Sequence, residues 1–151
     1  MTSPEPGHPR TSLSDTLADL LQGAGVDKTS KIRVTGPAGL AALLWFCRHR
    51  YEQVGFVKSG PSPSDDGDLL IVPQTCDIDA LAAILQRGPH ARQGGVLIVQ
   101  TPEPDETAAG PDPVHSLLRK SGYRVERCLH GHHRELHVAR RRAGPPRRMA
   151  A

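Results

Sequence analysis

The sequence predicts an α/β fold: a mostly parallel sheet with helices on both faces and an antiparallel hairpin at its C-terminal end. Three observations carry this. Short apolar runs, Leu69-Leu70-Ile71-Val72 and Val96-Leu97-Ile98-Val99, are too short for helices and read as parallel strands buried on both faces. Between the strands lie segments with apolar residues at helical spacing, the pattern of strand–helix–strand units. From Tyr123 onward the period changes to two, as in an antiparallel pair.

The elements follow in order. Residues 1–11 are polar and proline-rich and read as a disordered leader; the folded domain is expected over 12–141 and a basic disordered tail over 142–151. Ser12 or Ser14 caps a first helix carrying Leu13, Leu17, Leu20 and Leu21, stopped by Gly23 and Gly25. Ile32 to Thr35 form the first strand. It runs through the turn Gly36-Pro37-Ala38-Gly39 into a helix reaching about Arg50, with Leu40, Leu43, Leu44, Phe46 and Cys47 as its buried face. Val54 to Lys58 form the second strand, and the Pro-, Ser- and Asp-rich stretch 60–67 is a loop. Asp68 opens the third strand, Leu69 to Pro73. Asp77 caps the next helix, with Ile78, Leu81, Ile84 and Leu85 inward and Gly88-Pro89 at its end. Gly94-Gly95 turn into the fourth strand, Val96 to Thr101. Asp112-Pro113 start a helix with Val114, Leu117 and Leu118 inward, closed by Gly122. Tyr123, Val125 and Leu129, then Leu136 and Val138, alternate with polar residues about a turn at Gly131-His132, giving a hairpin from Tyr123 to Arg141.

Composition narrows the class. A chain of 151 residues fits one domain able to bury about two thirds of its unfolded surface. The cysteines Cys47, Cys76 and Cys128 form no disulfide framework, and the polar start lacks the apolar core of a secretory leader, so a cytoplasmic setting is expected. No apolar run approaches the roughly 20 residues of a membrane helix, so no membrane partner is expected. The net charge of +3 is uneven: five arginines at 140–142, 147 and 148, with no acid after Glu135, leave 14 basic against 16 acidic residues in the rest. The basicity belongs to the tail, which reads as a solvated end or as a contact for a polyanion. Five aromatics are too few for a platform that stacks single-stranded bases.

The order Asp68-Leu69-Leu70-Ile71-Val72, Gly94-Gly95-Val96-Leu97-Ile98-Val99 and Ser121-Gly122-Tyr123 before a terminal hairpin resembles the class I S-adenosylmethionine-dependent methyltransferases, a Rossmann-like family, over Lys31 to Arg141. The resemblance implies a nucleotide crevice at the carboxyl ends of the strands, with S-adenosylmethionine as cofactor. The chain departs from the family where the cofactor is read. The family's first loop has an acid and three alternating glycines, whereas Arg33-Val34-Thr35-Gly36-Pro37-Ala38-Gly39-Leu40 keeps only Gly36 and Gly39, and Pro37 removes an amide donor. The second strand of such sites ends in an acid that takes both ribose hydroxyls; here it ends in Lys58. Ser59 to Gly67 are too few residues for the family's next helix and strand, which implies a sheet lacking one edge strand.

The candidate cofactor-binding residues are therefore Gly36, Gly39, Lys58 and Gln74. The Gly36 to Gly39 turn either holds an anion on a helix N-terminus or is a tight turn without a ligand. Lys58 either favours a 2′-phosphate, as in NADP recognition, or is a solvated strand end. Gln74 follows a buried strand at the edge where α/β sheets bind ligands; Cys76 beside it would be a nucleophile only with a base and a lowered pKa, and the sequence shows neither, so it reads as part of a helix-capping context. No catalytic triad, paired-carboxylate motif or phosphate loop appears. Cys128, His130, His132, His133 and His137 form the densest group of soft ligands, but their spacing matches no zinc signature, so they read as polar residues on an exposed hairpin face, with zinc or copper as the alternative. The sum is a degenerate methyltransferase-like module, non-catalytic, binding or regulatory, with a protein partner; the alternatives are an active methyltransferase with an atypical site and an NADP-type binder using Lys58.

Overall fold

The computed structural model describes residues 13–57, 67–73, 78–87, 89–102, 113–131 and 134–142. The elements are α1 (Leu13–Gly23), β1 (Lys31–Val34), α2 (Gly39–Arg48), β2 (Gln53–Phe56), β3 (Gly67–Val72), α3 (Ile78–Arg87), β4 (Ala91–Pro102), α4 (Pro113–Lys120), β5 (Tyr123–Gly131) and β6 (Arg134–Arg141). They build one six-stranded sheet in the order β2-β1-β3-β4-β6-β5. The first four strands in that order are parallel, and β6 and β5 add antiparallel. The expected α/β architecture with a hairpin at one edge is what the chain adopts. Among the described residues β2 is the other edge, and no helix is long and apolar enough to cross a membrane.

Strand alternation divides the core into two layers. Leu69 and Ile71, Val96 and Ile98, and Leu136 and Val138 face Leu20 and Leu21 of α1 and Phe46 of α2. Their neighbours Leu70 and Val72, Leu97 and Val99, and Ala139 face Leu81 and Leu85 of α3 and Leu118 of α4. Because β3 and residues 96–99 of β4 bury both faces, these runs had to be apolar, which is why they stood out in the sequence. Each fully buried Leu, Ile, Val or Phe contributes about 1.5–3 kcal/mol relative to exposure.

Three expectations need correction. The inward face of α2 is narrower than predicted: Leu40 is 65% exposed, Leu44 is 45% exposed and Cys47 is exposed, while Gly39 and Phe46 are buried and Ala42 packs on the core. The helix docks through its small residues Gly39 and Ala42 together with Phe46. A Cβ on Gly39 would lie 2.5 Å from the Phe56 ring and 3.1 Å from Val34 Cγ1, so the bare glycine is what lets α2 approach β1 and β2 so closely.

Gly94-Gly95, expected as a turn before the fourth strand, lies inside β4. Between Gly67↔Ala91 and Leu69↔Val96 the ladder takes up extra residues of β4, a bulge in which Gly94 has φ +78° and a Cβ on Gly95 would meet Arg92 O at 2.9 Å. The hairpin also carries a bulge, between Val125 and Arg127. It reverses the facing of everything after it in β5: Val125 packs with the α3/α4 layer, whereas Leu129 packs with the α1/α2 layer. Simple alternation would have put both on one face.

Arg140 and Arg141, counted above with the basic tail's charge, are strand residues with internal partners. The Arg140 guanidinium donates to Gly94 O at 2.9 Å, to Ala24 O at 3.2 Å and to Glu126 at 3.1 Å, and Arg141 donates to Ala91 O at 2.6 Å. Burial pushes the Glu126 carboxyl up, and the Arg140 and Arg124 guanidiniums more than offset it, holding it below its ordinary value.

Candidate functional site

In an open α/β sheet the crevice forms where neighbouring strands send their helices to opposite faces. Here that point lies between β1, which leads into α2, and β3, which precedes α3 on the other face. The carboxyl end of β1 is tied on both sides. Thr35 donates its N–H to Ile71 O at 3.0 Å and its hydroxyl to Val57 O at 2.8 Å, and Val57 N–H donates to Val34 O at 2.9 Å. Gly36 then turns with φ +100°, a region that disfavours any side chain, and its carbonyl accepts the Gly39 N–H at 3.1 Å. Of the predicted site residues, Gly36 and Gly39 therefore stand at the crevice; Lys58 and Gln74, with Cys76, lie outside the described residues.

Helix α2 begins without a polar cap. Its N-cap is Ala38, no side chain bonds the first turn, and that turn holds no acid. Beside it opens a cleft of about 190 Å³. Its walls are Ala38, Ala41 and Trp45 of α2 with its N-cap, Leu17 of α1, and the ends of β3 and β4, including Pro73 and Ile98. Gln100, 7% exposed, is the one polar side chain among the described residues that line it. Sequence reasoning missed Gln100, although the signal was there: it follows the Val96 to Val99 run as Gln74 follows Val72 and Pro73, a polar residue at the carboxyl end of a buried strand. Asp68, which carried part of the family resemblance, stands at the opposite end of β3. Its carboxylate is held below its ordinary pKa by the Arg92 guanidinium first and then by the Lys31 N–H, at 2.5 Å and 2.7 Å. It staples strands rather than meeting a ligand.

A second constellation lies on the α3/α4 side of the hairpin. Cys128 of β5 stands directly opposite His137 of β6, with Sγ 3.5 Å from His137 Nδ1. His115 of α4 brings Nε2 to 3.2 Å from the same nitrogen. On its other edge, His137 Nε2 lies 3.1 Å from Thr101 Oγ1 and 3.4 Å from Glu135 Oε1, and Glu135 Oε2 meets His130 Nδ1 at 2.7 Å. The expectation of an exposed polar hairpin face holds for His130, which is exposed, and fails at the centre: His137 is fully buried, Glu135 is 5% exposed and Cys128 is half-buried. Helix α4 covers them. His132 and His133 lie outside the described residues.

No protein-family model matches the sequence, and no curated protein matches it. Solved structures do. A ribosomal protein L11 methylase from Lactobacillus delbrueckii subsp. bulgaricus superposes with a TM-score of 0.58 at 10% identity, over 85% of this chain and 79% of that one. An S-adenosylmethionine-dependent methyltransferase from Aquifex aeolicus gives 0.51 at 14% identity, over 82% and 88%. Magnesium protoporphyrin IX methyltransferase from Synechocystis, with bound S-adenosylhomocysteine, gives 0.51 at 12% identity, over 85% and 82%. At such identities the likeness is one of fold, and the fold is the methyltransferase-like Rossmann fold.

Proposed function

We propose that this chain, built on a methyltransferase-like fold, is a non-catalytic binding or regulatory module that serves a protein partner, its cofactor crevice reduced to a small apolar cleft. The observation that carries the reading is the chemistry of that cleft. Among the described residues its lining offers one amide side chain, Gln100, and no charged group. A nucleoside cofactor needs acceptors for its ribose hydroxyls and close backbone donors for its charged end. Two further features support the reading. The space over Gly39 is filled by the Phe56 ring rather than left for a ligand. The cleft, at about 190 Å³, is also below the roughly 300 Å³ at which small-molecule sites begin.

The competing reading, an active methyltransferase with an atypical site, draws on the cleft's position at the switch point and on the positive-φ turn at Gly36. An NADP-type binder would rest on Lys58. Calorimetric titration with S-adenosylmethionine, S-adenosylhomocysteine and NADPH separates the three. We expect no heat from any. Micromolar binding of either of the first two overturns the proposal, and binding of NADPH alone selects the third reading. The same titration on Lys58→Asp tests the cause of the loss. Restored acceptors should bring weak S-adenosylmethionine binding, with roughly tenfold gained for each charged hydrogen bond recovered, and glycines at Ala38 and Leu40 should add to it.

A further inference from the structure

The constellation under α4 lies on the sheet face away from the cleft and plays no part in the function proposed above. We propose that His115, Cys128 and His137 bind a zinc ion, with Glu135 and Thr101 orienting His137 from behind. The distances are compatible with a metal centre. Zinc bonds of about 2.0–2.1 Å to nitrogen and 2.3 Å to sulfur give tetrahedral edges of about 3.3 Å between nitrogens and 3.5 Å between nitrogen and sulfur. The two edges meeting at His137 Nδ1 measure 3.2 Å and 3.5 Å. The ligand atoms of all three residues lie within 4.8 Å of one another.

Proton accounting points the same way. In the tautomer that carries the proton on Nε2, toward the accepting Glu135 carboxylate, His137 Nδ1 is left with a single lone pair. Two groups, His115 Nε2 and Cys128 Sγ, converge on that one lone pair. As hydrogen-bond donors they compete for it. As fellow ligands of a cation, each contributes its own pair, and the Cys128 proton leaves to solvent as the thiolate forms. A histidine ligand whose other nitrogen is held by a carboxylate is the usual outer arrangement of zinc sites, because it sets both the tautomer and the ring's direction. The chain also spends a device on this alignment. Without the bulge between Val125 and Arg127, Cys128 would stand opposite Leu136 instead of His137. With three protein ligands, the fourth position is left to water or a ligand.

The test uses the full-length chain, stripped of metal and titrated with cobalt(II), then zinc(II). The expected result is one equivalent of cobalt with a thiolate-to-cobalt charge-transfer band and the visible intensity of a tetrahedral centre, displaced by zinc. Cys128→Ser should abolish the charge-transfer band, and His115→Gln should weaken zinc at least tenfold. Both positions are half-buried, and circular dichroism of the metal-free variants checks that they fold. Glu135→Gln should weaken zinc by about tenfold or more, and replacing His132 and His133 together should change nothing. A wild-type chain without the band overturns the proposal. So does zinc affinity unaltered by Cys128→Ser and His115→Gln. A band lost with Cys128 but indifferent to His115 also overturns it, since the ion would then sit on Cys128, His130 and Glu135.

Discussion

The two faces of one sheet carry opposite chemistry, and adjacent residues of β6 show how. Leu136 borders the apolar cleft under α1 and α2, while His137 is the buried centre of the polar cluster under α4. The cleft has room but almost no polar chemistry, and the cluster has chemistry but little room. Strand geometry makes the separation possible, because a step of one residue moves a side chain to the other side of the sheet. Any ligand of the cleft would therefore be held by apolar burial, whereas any ligand of the cluster would be selected by lone pairs. The two should respond independently to mutation.

The largest expected effect tests whether the cleft is open. Leu97 and Ile98 are neighbours in β4; Leu97 packs in the closed α3/α4 layer, and Ile98 lines the cleft. Leu97→Ala should cost about 3–5 kcal/mol, whereas Ile98→Ala should cost about 2–3 kcal/mol, because one side of Ile98 already lacks full contact. Equal costs in urea melts would mean that the cleft closes in solution and the contrast between the faces is lost.

Next comes the turn at the crevice. With φ +100° at Gly36, a β-branched residue is a misfit, and Gly36→Val should cost about 1–3 kcal/mol through the backbone, since an added Cβ would meet Val72 Cγ1 at an ordinary contact distance of 3.5 Å. A melting temperature matching wild type would sink the claim that this turn is held by the fold.

Arg140→Ala removes donors to Gly94 O, Ala24 O and Glu126 that tie β6 to the bulge of β4 and to the end of α1, and should cost about 1–2 kcal/mol. Deleting 143–151 should by contrast leave the melting curve unchanged. If those nine residues contact a polyanion, the deletion should remove a binding that also weakens steeply with salt; a mobility shift that survives it would assign the contact to the folded domain.

The smallest effect is at Asp68. Its folded pKa is depressed, so its stabilising contribution is present above the ordinary carboxylate range and is lost as pH falls through the folded value. The Arg92 partner is more than half exposed, and solvent screening holds the contribution below about 1 kcal/mol. Asp68→Asn should be slightly less stable than wild type at neutral pH, and the two should converge only in acid below the ordinary carboxylate range, as pH falls through the depressed folded value. A gap that persists in acid would mean the loss is steric.

How much was legible in the residues follows from how locally each feature is encoded. The parallel strands, the helix positions and the hairpin could be read because burial on two faces, on one stripe or on alternate residues leaves a period in the sequence, and turn glycines such as Gly36 and Gly122 mark the joints. The α2 face was misread because docking followed the small residues Gly39 and Ala42 together with Phe46, and close approach at Gly39 is a property of the neighbours Phe56 and Val34 as much as of the helix. Both bulges escaped notice, since an extra residue in one strand shows only against its partner. Gln100 entered the cleft only through the way β4 and α1 meet α2. The ligand cluster was half visible: Cys128, His130 and His137 lie within ten residues of one another, whereas His115 joins through the docking of α4, and the pairing of Cys128 with His137 depends on the bulge at Val125. The sequence by itself thus determined the layers and their order along the chain, because periodicity and turn chemistry are short-range. Which side chains meet, and on which face, was decided only by the tertiary structure, because helix docking and strand register are set by partners far away in the chain.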